Sequence, residues 1–280
     1  MSQPAPVLDH AVVNVLGELD RAAEQYRRLG FQLSERGHHT LGSSNHLAIF
    51  GENYLELLGF EPGRKSDRAD LWKHPPGLTG LVFKTTDSLG LHARLDRAGI
   101  PVENPAEFSR PVGLADGLHD ASFRVVRLGS QLFPNGRVFF CHHFTPELVW
   151  RDEWRQHPNG VTDIAEFFIA AGNPQTSSEL YRAIFGHHAV SEAVGGFSLQ
   201  AGKAMVFILT PEEIGRRFAG AAPVSENGSD RMVALTFRTR ALATVERLLA
   251  ANDVSFLREG DRIVVPHTQA EGVALSFVEN

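Results

Sequence analysis

The chain has one cysteine, Cys141, in 280 residues. A single thiol excludes a disulfide framework and a thiolate zinc cluster, and fits a reducing, cytoplasmic setting. Any metal ion would have to be held mainly by His, Glu or Asp. No apolar run approaches the ~20 residues of a membrane span. Basic charge is not in excess: 27 Lys and Arg stand against 33 Asp and Glu, giving a net charge of −6 without charge blocks. That argues against a nucleic-acid or membrane-surface partner, which would need a basic patch. The segment Met1-Ser2-Gln3-Pro4-Ala5-Pro6 lacks a basic stretch followed by an apolar one, so no signal peptide is expected. The rest is ordinary for a globular protein, at 42% hydrophobic and 21% charged residues. The length allows one large core or two smaller ones.

One pattern recurs four times. A strand over Val7–Val15 precedes an amphipathic helix over Glu18–Leu29, whose apolar Leu19, Ala22, Ala23, Tyr26 and Leu29 recur at helical spacing. Gly30 closes that helix as a C′ residue. Strands are predicted around Phe31–Arg36, Asn45–Phe50 and Tyr54–Phe60, with Gly51-Glu52-Asn53 as a hairpin turn. The second module has a strand over Leu78–Thr85, a helix over Ser88–Ala98, and extended segments at Phe123–Leu128 and Val138–Phe144. The third starts at Asp163–Ala171, with a helix over Thr176–Phe185 and strands near Ser191–Gln200 and Ala204–Leu209. The fourth runs through Met232–Arg238, a helix over Ala241–Asn252, then Ser255–Leu257, Arg262–Val265 and Val273–Val278. Each unit is a βαβββ half that needs a partner to close a core. The expectation is an α+β fold of four βαβββ modules in two pairs, each forming a curved mixed sheet around a cleft with helices outside. The predicted domains are 1–155 and 161–280, joined through His157-Pro158-Asn159-Gly160.

Two polar residues interrupt apolar strands. Glu56 lies within Asn53-Tyr54-Leu55-Glu56-Leu57-Leu58, and His10 lies among the β-branched residues of Leu8–Val15. A carboxylate buried without a partner costs several kcal/mol. A His and a Glu facing one cavity suit a first-row metal ion. Taken alone, His10 reads more readily as a satisfied core histidine. Cys141 likewise reads first as a small core residue rather than a nucleophile. His38-His39 and His187-His188 fall in loops. His142 and His143 are adjacent on a strand, so at most one can face the cleft.

These modules resemble the vicinal oxygen chelate superfamily. That group includes glyoxalase I, extradiol dioxygenases, methylmalonyl-CoA epimerase and the fosfomycin or bleomycin resistance proteins; the glyoxalase-like branch is the nearer match. The matching segments are Leu8-Asp9-His10, His39-Thr40-Leu41-Gly42-Ser43-Ser44-Asn45-His46, Tyr54-Leu55-Glu56-Leu57-Leu58, and His143-Phe144-Thr145-Pro146-Glu147-Leu148-Val149-Trp150. The resemblance implies metal ligands on the first and last strands of paired modules: His10 and Glu56 from module one, and His143 in preference to Cys141 or His142 from module two. Gly80 takes the position equivalent to His10. The divalent ion would be Zn, Fe, Ni, Co or Mn, with Glu56 able to double as a base. Asn14, His39, Asn45, Lys84 and Cys141 are the candidate substrate contacts. In modules three and four the equivalent positions are Glu166, Ala234, and residues near Ile208 and Ser276, which make no metal centre.

Two classes of function follow. One is a metal-dependent lyase, isomerase or dioxygenase acting on a small oxygenated metabolite. The other is a resistance-type protein that sequesters a small molecule without chemistry. Either works as a monomer or homodimer.

Overall fold

A computed structural model describes residues 5–40, 42–65, 69–225 and 228–280. Leu41 and the N-terminal Met1–Pro4 therefore lie outside the described residues. The elements run β1 (Leu8–Leu16), α1 (Leu19–Arg28), β2 (Gly37–His38), β3 (Ser44–Ile49), β4 (Tyr54–Gly59), α2 (Ala69–Trp72), β5 (Gly77–Lys84), α3 (Ser88–Arg97), β6 (Ala106–Leu114), β7 (Gly117–Arg127) and β8 (Arg137–His143). The second half contains β9 (Val161–Ala170), α4 (Pro174–Phe185), β10 (Val190–Ala193), β11 (Gly196–Ala201), β12 (Ala204–Leu209), α5 (Pro211–Arg217), β13 (Arg231–Thr239), α6 (Leu242–Ala251), β14 (Leu257–Glu259), β15 (Arg262–Val265) and β16 (Ala274–Glu279).

The strands form two eight-stranded sheets with the same order: β2-β3-β4-β1-β5-β8-β7-β6 and β10-β11-β12-β9-β13-β16-β15-β14. In each, the first strands of two modules pair antiparallel at the centre, and each runs parallel to the last strand of its own module. This is the α+β, paired-module architecture expected. The sheets are curved, and the N-terminal one nearly closes: Thr40 N donates to Ser109 O at 3.2 Å, joining the region of β2 to β6.

The helices cover the sheet faces opposite the clefts. Those helix-bearing faces meet, and Leu8, Val13, Tyr26, Phe31, Phe83, Phe185, Phe237 and Phe277 all belong to one continuous hydrophobic core. Phe31 sits 5.0 Å from Phe237, and Phe83 sits 4.8 Å from Phe185, ring centre to ring centre. The described helices include none long and apolar enough to cross a membrane.

Two local expectations need correction. Phe31–Arg36 is not a strand. Ser34 binds β3 through its backbone N–H and carbonyl, but its hydroxyl accepts the Leu47 N–H, so a side chain replaces a ladder partner. Conversely, β6 and the first half of β7 were not anticipated. Pro111, Gly113 and exposed charges dilute the apolar signal there, which an edge strand tolerates.

The Gly51-Glu52-Asn53 turn joins β3 to β4 as expected, with Phe50 N donating to Asn53 O at 3.0 Å. It also docks on the second sheet. Asn53 Nδ2 donates to Ile164 O at 3.2 Å, and Asn53 Oδ1 accepts from Ile164 N at 2.9 Å. Because β12 pairs with β9 only from Glu166 onward, the Asn53 amide stands in for a neighbouring strand. Asn53→Ala should destabilise the protein by about 2 kcal/mol or more, since two backbone groups lose buried partners. Urea unfolding checks this, and a change below about 0.5 kcal/mol would mean water replaces the amide.

Candidate metal and substrate cleft

The cleft of the N-terminal sheet is built on an irregularity in β1. The register against β5 shifts between Leu8 and His10. Leu8 packs into the helix-side core with Ala11 and Val13. The bulge places two successive side chains, Asp9 and His10, on the cleft side. His10 Nδ1 lies 2.5 Å from Asp9 Oδ1. The carboxylate accepts, so the ring carries its proton on Nδ1 and turns the Nε2 lone pair outward. Tyr54 stacks on the His10 ring at 4.3 Å, and Phe139 meets its edge at 5.8 Å.

Asp9 is fully buried. His143 Nε2 lies 3.1 Å from both of its oxygens, so two imidazole N–H groups converge on one carboxylate. Burial alone would push this carboxyl up. The opposing charge of His143 and the hydrogen bonds from His10 and His143 outweigh burial and hold it well below the usual carboxylate range. His143 is itself clamped between Trp150 at 4.8 Å and Phe123 at 5.0 Å.

Glu56 faces His10 from β4. Its Oε2 lies 3.8 Å from His10 Nε2, within the distance expected for two side chains sharing an ion. Its Oε1 accepts from Asn45 Nδ2 at 2.6 Å and lies 3.8 Å from His39 Nε2. Asn45 Nδ2 is also 3.2 Å from His39 Nε2, while His39 Nδ1 is 2.8 Å from Ser43 Oγ. A donating amide on one side assigns His39 the neutral, Nδ1-protonated form, with Nε2 as acceptor. Among the described residues, the buried Asn45 Oδ1 has no hydrogen-bond partner.

The cavity has about 670 Å³ of non-atom space between its walls, open solvent at the mouth included. Its walls include His10, His39, Asn45 and Glu56 at one side and Leu47, Leu58, Phe108, Phe123, Val125 and Phe139 around them.

The expected residues divide into three groups. His10, Glu56, His39 and Asn45 meet in the cleft, and Cys141 lines the same cavity. His143 is on the cleft side, while His142 turns to the helix layer, its Nδ1 3.2 Å from Ser88 Oγ. However, His143 meets Asp9 rather than Glu56. Among the described residues, the three-residue group whose donor atoms all fall within 4.8 Å of one another is Asp9, Cys141 and His143, not His10, Glu56 and His143. Asn14 and Lys84 lie off the cavity wall. Asn14 Nδ2 donates to His74 O and its Oδ1 accepts from Leu16 N, while Lys84 Nζ sits 3.9 Å over the Trp150 ring.

Strand register explains the missing fourth position. His10 pairs with Tyr54 across β1 and β4, and Gly80 pairs with Arg137 across β5 and β8. Two residues on, Glu56 therefore corresponds to Phe139. Module two has Gly and Phe at both equivalent positions. In the C-terminal sheet, Glu166 lies 3.5 Å from Arg262, and Phe168, Phe218 and Ile214 fill the cleft. Sequence reasoning missed Asp9, although a carboxylate in an apolar strand is the same signal that marks Glu56. It also missed Arg110, because β6 itself was not seen.

The glyoxalase-like domain family matches residues 8–185. The chain belongs to this glyoxalase-like domain family. Three solved structures share the fold. A hypothetical protein from Staphylococcus aureus aligns with a TM-score of 0.66 at 13% identity, over 98% of both chains. A mutant of 4-hydroxymandelate synthase from Streptomyces coelicolor aligns at 0.61 and 13% identity, over 99% of this chain and 93% of that one. A xylose isomerase-like TIM barrel/4-hydroxyphenylpyruvate dioxygenase fusion protein aligns at 0.61 and 12% identity, with all of this chain covering 49% of the fusion. No curated protein matches the sequence.

Because Asp9 is held below its unfolded-state value, its stabilising contribution is complete above the ordinary carboxylate range and is lost as pH falls below it. Asp9→Asn should cost about 3 kcal/mol at pH 7, as for breaking a buried charge pair. The deficit should shrink toward pH 3 in denaturant titrations; a gap independent of pH would contradict the ionised network. Burial, together with the Asp9 and Glu56 charges, pushes the Cys141 thiol well above its ordinary range. Native protein should thus resist iodoacetamide at pH 8, read by mass spectrometry, and react only when unfolded.

Proposed function

We propose that the N-terminal cleft holds one divalent metal ion on His10 and Glu56 and acts there on a small oxygenated metabolite. The observation that carries this reading is the pair of acceptor atoms His10 Nε2 and Glu56 Oε2, turned toward each other at 3.8 Å with no proton donor assigned between them. Two lone pairs facing each other in a buried site repel unless a cation or proton sits between them. The surroundings fit a metal: Asp9 fixes the tautomer and orientation of His10, as outer carboxylates do for metal-bound imidazoles. His39 Nε2, which accepts from the Asn45 amide, lies 3.8 Å from Glu56 Oε1 and would join the ion only on release of that bond. Two His and one carboxylate suit Fe, Mn, Co, Ni or Zn. The Asp9–Cys141–His143 group fits less well, because both Asp9 oxygens already accept N–H groups and the thiol stays protonated.

A bound ion would supply Lewis-acid stabilisation of negative charge on substrate oxygens. The protein's own residues do the rest. The apolar walls exclude water, and Asn45 holds Glu56 Oε1, which keeps Oε2 turned toward His10. One structural neighbour, the fusion named for 4-hydroxyphenylpyruvate dioxygenase, favours a dioxygenase-type reaction over a lyase or isomerase. One observation favours the alternative, a sequestering protein: Gly80 and Phe139 stand where module two would supply ligands.

Elemental analysis of protein purified without chelator should find about one divalent ion per chain. Glu56→Gln and His10→Ala should each lower metal affinity by more than the ~10–100-fold typical of losing an outer partner, with little change in far-UV circular dichroism. Full metal content in Glu56→Gln would remove Glu56 from the centre and leave sequestration as the better reading.

A further inference from the structure

Arg110 faces the same cavity from β6, its side chain lying beside Gly37 of β2. It is only 5% exposed, yet among the described residues its guanidinium makes no hydrogen bond and no ion pair within 4 Å. The chain has made room for it. A Cβ on Gly37 would fall 2.5 Å from Arg110 Cδ and 3.0 Å from Arg110 Nη1. The β6 alternation puts Phe108, Arg110 and Val112 on the inner face, and the Thr40–Ser109 bond holds that strand against the β2 end of the sheet. A guanidinium this nearly buried, with no protein acceptor, is costly unless a ligand or water in the cavity accepts from it. Glu56 and Tyr54 act on it only at longer range.

We infer that Arg110 is the anion-recognising residue of the cleft, and that the ligand is a small carboxylate with an apolar, ring-sized body. A carboxylate matches the planar fork of a guanidinium with two parallel hydrogen bonds. Phe108, Phe123, Phe139, Leu47 and Leu58 give the body its apolar walls. This names the substrate class for the site proposed above, but the recognition resides on Arg110 and does not require the metal.

The test uses benzoate as probe and benzamide, its neutral isostere, as control, titrated into chelator-treated full-length protein by calorimetry. Benzoate should bind about 10–100-fold more tightly than benzamide, the range for a hydrogen bond to a charged group. Arg110→Gln should abolish that preference without lowering the melting temperature of the free protein, since it removes an uncompensated buried charge. Arg110→Lys should restore part of it. Equal binding of benzoate and benzamide to the wild-type protein would overturn the inference, as would unchanged benzoate affinity in Arg110→Gln. Metal content is read separately: Arg110→Gln should retain it, whereas loss of metal in Glu56→Gln with benzoate preference intact would separate the two sites. If Arg110→Gln fails to fold, the wild-type benzoate–benzamide comparison still decides.

Discussion

The buried carboxylate of Asp9 is the constraint on which the cleft depends. A charge with no exposure to water survives only if hydrogen-bond donors surround it, and here two imidazoles supply them. Each donation fixes a ring. His10 must present Nε2 to the cavity because Nδ1 is committed, and His143 must stay beneath Trp150 because its Nε2 is committed. The β-bulge that brings Asp9 to the cleft side is therefore what decides which nitrogen of His10 is available for chemistry. A regular β1 would send Asp9 into the helix-side core, where Leu8 and Ala11 pack among apolar side chains.

The two halves of the chain show how one topology gives a cleft in one place and a solid core in another. Strand order and pairing repeat between the sheets. In the N-terminal sheet the inner face carries Glu56, Asn45, His10 and Arg110, whose charges and dipoles resist collapse of the walls. In the C-terminal sheet the same face carries Phe168, Ala234 and Ala274, and Phe218 fills the space between them. Glu166, at the first-strand position equivalent to His10, pairs with Arg262 at 3.5 Å. An apolar face closes on itself, while a polar face stays open because its groups need partners that other parts of the chain do not provide.

Much of this was legible in the sequence, for reasons that also mark where legibility stops. Helical periodicity in Leu19–Leu29, the hairpin signal at Gly51–Asn53 and the four-fold recurrence set the architecture. Glu56 and His10 stood out because apolar strands made their burial conspicuous, and the alternation that separates His142 from His143 held through the end of β8. The third-ligand assignment depended on distances across the barrel, which strand alternation does not fix: sharing a face with Glu56 placed His143 in the cleft but beside Asp9. Asn14 and Lys84 show the same limit: alternation sets their face of the strand, while the cavity wall does not include them. The edge strand β6 escaped notice because an edge need not be apolar. Arg110 escaped with it.

That last omission matters for charge balance within the cleft. Asp9 is compensated by two imidazole donors, and Glu56 by one amide N–H with two imidazoles nearby. Arg110 brings positive charge from β6, beside Gly37, without touching either carboxylate. A single direct ion pair between Arg110 and Glu56 would have filled the cavity and satisfied both groups at once. Keeping them apart leaves an acceptor pair and a donor fork lining one cavity among aromatic and aliphatic side chains. Such groups cost stability unless a ligand engages them, which is the arrangement of a binding site rather than of a core.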